Sequence, residues 1–198
     1  MKINADGVTV HVTHMGAIQS NSAVIYLSIS DGKICRRVQS PTPTSKTRET
    51  KDGRTVHEEH FRGWEGLITD IQVRETDYGK EWNVTIEDDG EKAVLQFKYS
   101  SGYATSFLKA LPNVNLNDRV SLIPQMVEIN GKKRSTLFLN QGGTAVKWYF
   151  TKDNPNGCPG MKKIKIKGVE SWDDSDMMEF LEAYVNENIK PALLNPPF

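Results

Sequence analysis

Histidine and cysteine are scarce in this chain of 198 residues, which has four of the first and two of the second. Two cysteines, Cys35 and Cys158, cannot build a disulfide framework and fit a reducing compartment. His11, His14, His57 and His60 offer little for metal or acid–base chemistry. A zinc-protease helix needs two histidines four apart with the base between them. In His57-Glu58-Glu59-His60 they are three apart, in a segment that reads as strand or loop, where an odd separation puts them on opposite faces. No phosphate-cradling glycine loop, nucleophile elbow or Cys-x-x-Cys pair occurs, and no spacing nominates a carboxylate pair. The expectation is a non-enzyme without metal or cofactor. No apolar run approaches the roughly 18–20 residues that a membrane span needs. Met1–Ser20 has no basic stretch ahead of an apolar one, so no signal peptide is expected, and the expected location is the cytoplasm.

Net charge is absent too, but its zero value hides an asymmetry. From Gly168 to Phe198 one basic residue, Lys190, stands against seven acids: Glu170, Asp173, Asp174, Asp176, Glu179, Glu182 and Glu187. That stretch therefore carries −6 and the remainder +6. A basic body with an acidic end can bind a polyanion and regulate that binding internally; the plain alternative is a solvated helix with no part in it.

What the chain has is strand patterning. Val8–Val12 alternates, and Ser22–Val38 is rich in β-formers with a turn at Asp31-Gly32. Ser40–Arg54, with two prolines, four basic residues and no large apolar side chain, reads as an exposed flexible loop. Leu67, Thr69, Ile71 and Val73 form one strand face against Asp70, Gln72 and Arg74. Trp82, Val84 and Ile86 form the next, and Ala93, Leu95, Phe97 and Tyr99 a third, with turns at Asp77–Lys80 and Asp88–Gly90. A helix is predicted over Ala104–Leu111, then strands over Val120–Ile129 and Ser135–Leu139 around Asn130-Gly131, and a further strand over Ala145–Phe150. Three strands, a helix and two strands is the order of an OB-fold, a small five-stranded barrel. The chain thus divides into an N-terminal β extension with the basic loop (1–55), an OB-like core (56–150), and a C-terminal part (151–198). The last holds a basic strand at Lys162–Lys167 and an acidic helix over Trp172–Ile189, capped by Ser171 or Asp173 and ended by Pro191.

Single-stranded nucleic acid is held by cations that follow phosphates and by aromatic faces that stack on bases, at roughly 1–3 kcal/mol per stack. The sequence interleaves the two: Arg62 with Trp64, Arg74 with Tyr78 and Lys80, Lys98 with Tyr99 and Tyr103, Lys147 with Trp148 and Tyr149. Trp82 and Phe97 share apolar faces and are assigned to the core. Phe138 points away from Leu137 and Leu139, beside Arg134, as a stacking platform or as a ring packed under another part of this chain. Lys132-Lys133-Arg134 sits at a hairpin tip that borders the groove of an OB barrel, or simply solubilises a turn. Lys163, Lys165 and Lys167 share one strand face and need an anion opposite, either nucleic acid or the acidic helix.

With an OB-like core, an acidic end and a terminal Pro197-Phe198, the chain resembles bacterial and bacteriophage single-stranded DNA-binding proteins. The resemblance implies sequence-independent binding in replication, recombination or repair. It also implies that Pro197 and Phe198 dock on partner proteins and that the acidic end competes with DNA. Leu194-Asn195-Pro196 departs from that pattern, because the acids lie upstream, in Asp173–Glu187. The alternative expectation is a structural or protein-interaction module.

Overall fold

The computed structural model describes residues 24–50, 52–166 and 168–194. The expected strand at Val8–Val12, His11, His14, Lys167 and the Pro197-Phe198 tip lie outside the described residues. The protein is mainly β. Ten strands join one sheet: β1 (Ile25–Ser30), β2 (Lys33–Val38), β3 (Lys46–Glu49), β4 (Thr55–Phe61), β5 (Trp64–Thr76), β6 (Gly79–Asp88), β7 (Glu91–Lys98), β8 (Val120–Ile129), β9 (Lys132–Gln141) and β10 (Thr144–Ala145). Their spatial order is β10-β9-β8-β5-β6-β7-β1-β2-β4-β3. Every pairing is antiparallel except that of β1 with β7.

Local chemistry explains the hairpins. Asp31-Gly32, Asp89-Gly90 and Asn130-Gly131 each adopt positive φ at both residues, the turn whose twist matches the flanking strands. β5 serves two neighbours. Trp64–Gly66 pair with β8, and from Leu67 onward the strand pairs with β6, with a register shift between Ile68 and Asp70. This bulge corrects the simple alternation expected for the strand: Ile68 is buried and Leu67 faces outward.

The ladder does not close into a ring among the described strands. β7 pairs with β1 on its free side, and β9 pairs with β10. The β1–β2 tip reaches back to Tyr103, β8 and β9. The Gly32 amide donates to the Tyr103 hydroxyl at 3.0 Å, and Asp31 approaches Lys133 at 3.5 Å. A Cβ on Gly32 would stand 2.6 Å from the Met126 backbone nitrogen, so this close approach needs glycine.

α1 (Gly102–Ala110) is capped by the Ser101 hydroxyl, which accepts from the Ala104 amide, and it buries Phe107 and Leu108 against the sheet. A small sheet of β11 (Lys162–Ile166) and β12 (Val169–Asp173) precedes α2 (Ser175–Tyr184), a π turn over Val185–Ile189, and α3 (Lys190–Leu194). Met177, Met178, Leu181, Val185 and Ile189 join the same core as Trp82, Phe97 and Phe107. Phe150 is clasped edge-on by Tyr149, Phe180 and Tyr184 at centroid distances of 4.9, 5.6 and 5.0 Å. The acidic helix is therefore part of the core on its apolar side.

Four expectations are corrected. The supposed flexible loop 40–54 contains β3, because the Arg48 guanidinium forks onto Glu58 at 2.7 and 2.8 Å and Thr42 and Thr44 donate to Glu59. Only Thr144–Ala145 of the region around 145–150 pairs as strand; Tyr149 and Phe150 turn under the helix instead. Trp172 lies on β12 rather than in the helix, which begins at Ser175. The helix also passes through Pro191. A proline ring collides with the carbonyl four residues back in a regular helix; here the turn that precedes it, Val185–Ile189, is a π helix.

β2, β3 and β4 are tied by two nearly buried carboxylates. Arg36 holds Glu59 at 2.6 Å, and Arg48, with Arg37 farther off, holds Glu58. The hydrogen bond from Arg48 holds the Glu58 carboxyl below its ordinary range, and that from Arg36 does the same for Glu59. A pKa depressed on folding gives stability that is present above the unfolded value, about 4.3, and is lost as pH falls through the lower folded value. The melting temperature should therefore drop as the pH is taken below about 4. Glu58→Gln should start lower at neutral pH and show a shallower acid decline, read by circular dichroism melts across pH 3–7.

Candidate nucleic-acid interface

The candidate residues do not form one channel; they fall into four places. On the outer face of β8 and β9, the register sets Ile123 beside Phe138, Gln125 beside Thr136, Val127 beside Arg134 and Ile129 beside Lys132. Alternation sends Leu122, Leu137 and Leu139 into the core and leaves Phe138 outward, 41% exposed. Arg62, at the corner before β5, joins Ile123, Phe138, Asn140 and Ala145 in lining an open groove. Arg62, Lys132 and Arg134 make no ion pair among the described residues. Glu65, paired across β5 and β8 with Ser121, is engaged by Ser121 and by Arg119 at 3.4 Å. Lys133 points to the other side and meets Asp31.

The second place is the far end of the β5–β6 hairpin. Tyr78 is almost wholly exposed at its tip. Arg74, Glu81 and Lys98 line up across β5, β6 and β7, with the acid in the middle. Lys80 lies 3.8 Å from Glu75 and 5.4 Å from the Tyr99 ring centre. Along β5 this end is up to about 40 Å from the Phe138 groove, at ~3.3 Å per residue.

The third place is the turn after β10, where Lys147 is exposed and Tyr149 is half-buried against Phe150 and Tyr184. The fourth is the β11–β12 hairpin. Lys163 and Lys165 face Trp172 and Glu170 across it, and Lys163 reaches Glu170 at 3.5 Å, so one of the anions required opposite that lysine face is the chain's own.

Several expected stacking rings are occupied by the fold. Trp64 is half-buried with its edge against Phe61 at 5.4 Å. Tyr103, expected in a loop, is buried at the start of α1 and accepts from Gly32. Tyr99 stacks on Trp82 at 5.7 Å and 3°, and its hydroxyl donates to Glu182 at 2.7 Å. Burial and that bond push its pKa well up. Trp82 and Phe97 are core residues, as their alternation requires.

Sequence reasoning overlooked two exposed rings, Tyr26 on β1 and Trp172 on β12, while Trp148, named beside Lys147, is exposed as well. Tyr26 was legible, since it alternates with the inward Ile25 and Leu27. It borders a second face, with Gln72, Arg74, Asn83, Thr85 and Asp70. There Gln96 donates to Asn83 and Glu81, and Asp70 accepts from Gln72. The carboxylates of Asp70, Glu81 and Glu58 make that face mixed in sign and poor for a phosphate chain, in contrast to the Phe138 groove.

No family profile, curated protein or solved structure matches this chain.

Proposed function

We infer that the protein is a non-catalytic, largely sequence-independent single-stranded DNA-binding protein. The observation that carries this reading is the Phe138 groove. An outward ring shares this groove with Arg62, and Arg134 lies farther along the same strand face; neither arginine makes an ion pair among the described residues. In this reading Phe138 stacks on a base, and the two guanidinium groups and Lys132 neutralise the phosphates on either side. The order β5–β6–β7, α1, β8–β9, with β5 bent to serve β6 and β8, supports an OB-type core whose open side is filled by the N-terminal hairpin. The role follows from that chemistry: covering exposed strands during replication, recombination or repair.

The test is fluorescence anisotropy with labelled oligo-dT, an RNA of the same length, and duplex, over a series of salt concentrations. Binding to oligo-dT should weaken as salt rises. For single strands each neutralised phosphate contributes about 0.7 to the slope of log K against log salt. Arg62→Ala with Arg134→Ala should therefore reduce that slope by about 1.4. Equal affinity for duplex and single strand, or an unchanged slope in the double variant, would count against the reading.

A second reading, a protein-interaction module, is favoured by Val127 and Ile129. They extend the same face towards the β8–β9 tip at 41% and 48% exposure. It predicts that Val127→Ser with Ile129→Ser leaves oligo-dT affinity unchanged while abolishing association with a partner protein.

A further inference from the structure

β11 and β12 pair only with each other and stand apart from the ten-stranded sheet. Their connection passes through Gly168 at φ 83°. The base of the hairpin is fixed to α2: Lys162 bonds Asp176, and the Asp173 carboxylate accepts from the Ser175 amide at 3.0 Å and its hydroxyl at 2.6 Å. Register places Lys163 opposite Trp172 and Lys165 opposite Glu170, so these four side chains share a face. Trp172 is 61% exposed, and the Lys163 ammonium lies 5.4 Å from its ring centre.

An indole left in water on an ordered strand forgoes the apolar burial that such a ring ordinarily finds. Nothing in the described core requires Trp172, whereas Trp82 is buried and Trp64 is half-covered. The face combines one flat ring, two ammonium groups and a single carboxylate. It is complementary to a nucleotide, whose base stacks on the ring while its phosphate replaces Glu170 beside Lys163.

We propose that the β11–β12 hairpin is a second nucleic-acid contact, an arm on which Trp172 stacks a base outside the Phe138 groove and Lys163 and Lys165 hold the adjoining phosphates. This rests on the strand-binding function inferred above and extends its site to a separate element. An arm of this kind matters only for strands long enough to reach it.

The experiment titrates the full chain with two lengths of oligo-dT, about 8 and about 30 nucleotides, within and beyond the roughly 4–16 that one small barrel covers. Trp172→Ala should weaken the long oligonucleotide about tenfold and leave the short one unchanged, as loss of one stack implies. Lys163→Ala with Lys165→Ala should lower the salt slope by about 1.4 for the long strand alone. These side chains are exposed, so melting curves should match the wild type and exclude misfolding. If the wild type binds and Trp172→Ala binds both lengths equally well, the arm is overturned while strand binding stands. Equal weakening on both lengths would place Trp172 in the primary groove and also overturn a second contact. If the wild type binds no oligonucleotide, the function itself falls, and the arm with it.

Discussion

Deleting residues 168–198 is expected to leave a chain that does not fold, rather than one that binds DNA more tightly. Charge alone points the other way, since the removed stretch carries −6 and would compete with a polyanion. The structure changes the balance. The deletion strips Met177, Met178, Leu181, Val185 and Ile189 from the core and uncovers Phe150 and Tyr149. Truncating a single buried side chain of this size to alanine costs about 2–5 kcal/mol, and a whole domain is stable by only about 5–15 kcal/mol. Five such losses, about 10–25 kcal/mol, match or exceed that margin. The expected readout is insoluble expression, or a spectrum without a cooperative melt; a soluble, cooperatively folding truncation would refute it. Competition by the acidic surface is tested instead by Glu179→Gln with Glu187→Gln, since both side chains are exposed and the apolar stripe stays intact. Tighter oligo-dT binding in that variant would mean that the helix repels the strand in place.

The largest functional effect is expected from Phe138→Ala combined with Arg62→Ala and Arg134→Ala. Loss of the stack alone is worth roughly 1–3 kcal/mol, or about 5- to 150-fold in affinity. Adding the loss of two phosphate contacts should take the combined variant to about 100- to 1,000-fold weaker binding at low salt, with less difference as salt rises. The three side chains lie on the outer face, so the melting temperature should move little. Phe138 and Arg62 line one groove and Arg134 lies along the same strand face, so their effects need not add, and the single variants measure the coupling. Full affinity in the triple variant would remove the Phe138 groove as the binding site.

How much of this was legible in the sequence differs by element. The hairpins were, because Asp31-Gly32, Asp89-Gly90 and Asn130-Gly131 carry the backbone preference of their turns locally. The outward aim of Phe138 was also legible, because alternation with Leu137 and Leu139 is a property of the strand alone. Tyr99, Tyr103 and Tyr149 were not. Each is claimed by a residue far away in the chain: Glu182, Gly32 and Tyr184. No local pattern records such a partner. Leu67 was misassigned because a bulge resets alternation without a mark in residue type. β3 escaped notice because four exposed polar residues become a strand only through Glu58, which Arg48 grips from across the ladder.

The parallel junction of β1 with β7 has a kinetic consequence. Ile25 pairs with Ala93, so the first described strand waits for a partner made long after it during synthesis. Closing so long a loop must precede any reward from the contact, which slows assembly relative to a chain of local hairpins. During that delay β7 presents a bare edge, open to pairing with a neighbouring nascent chain. The β1–β2 hairpin, once docked, covers that edge.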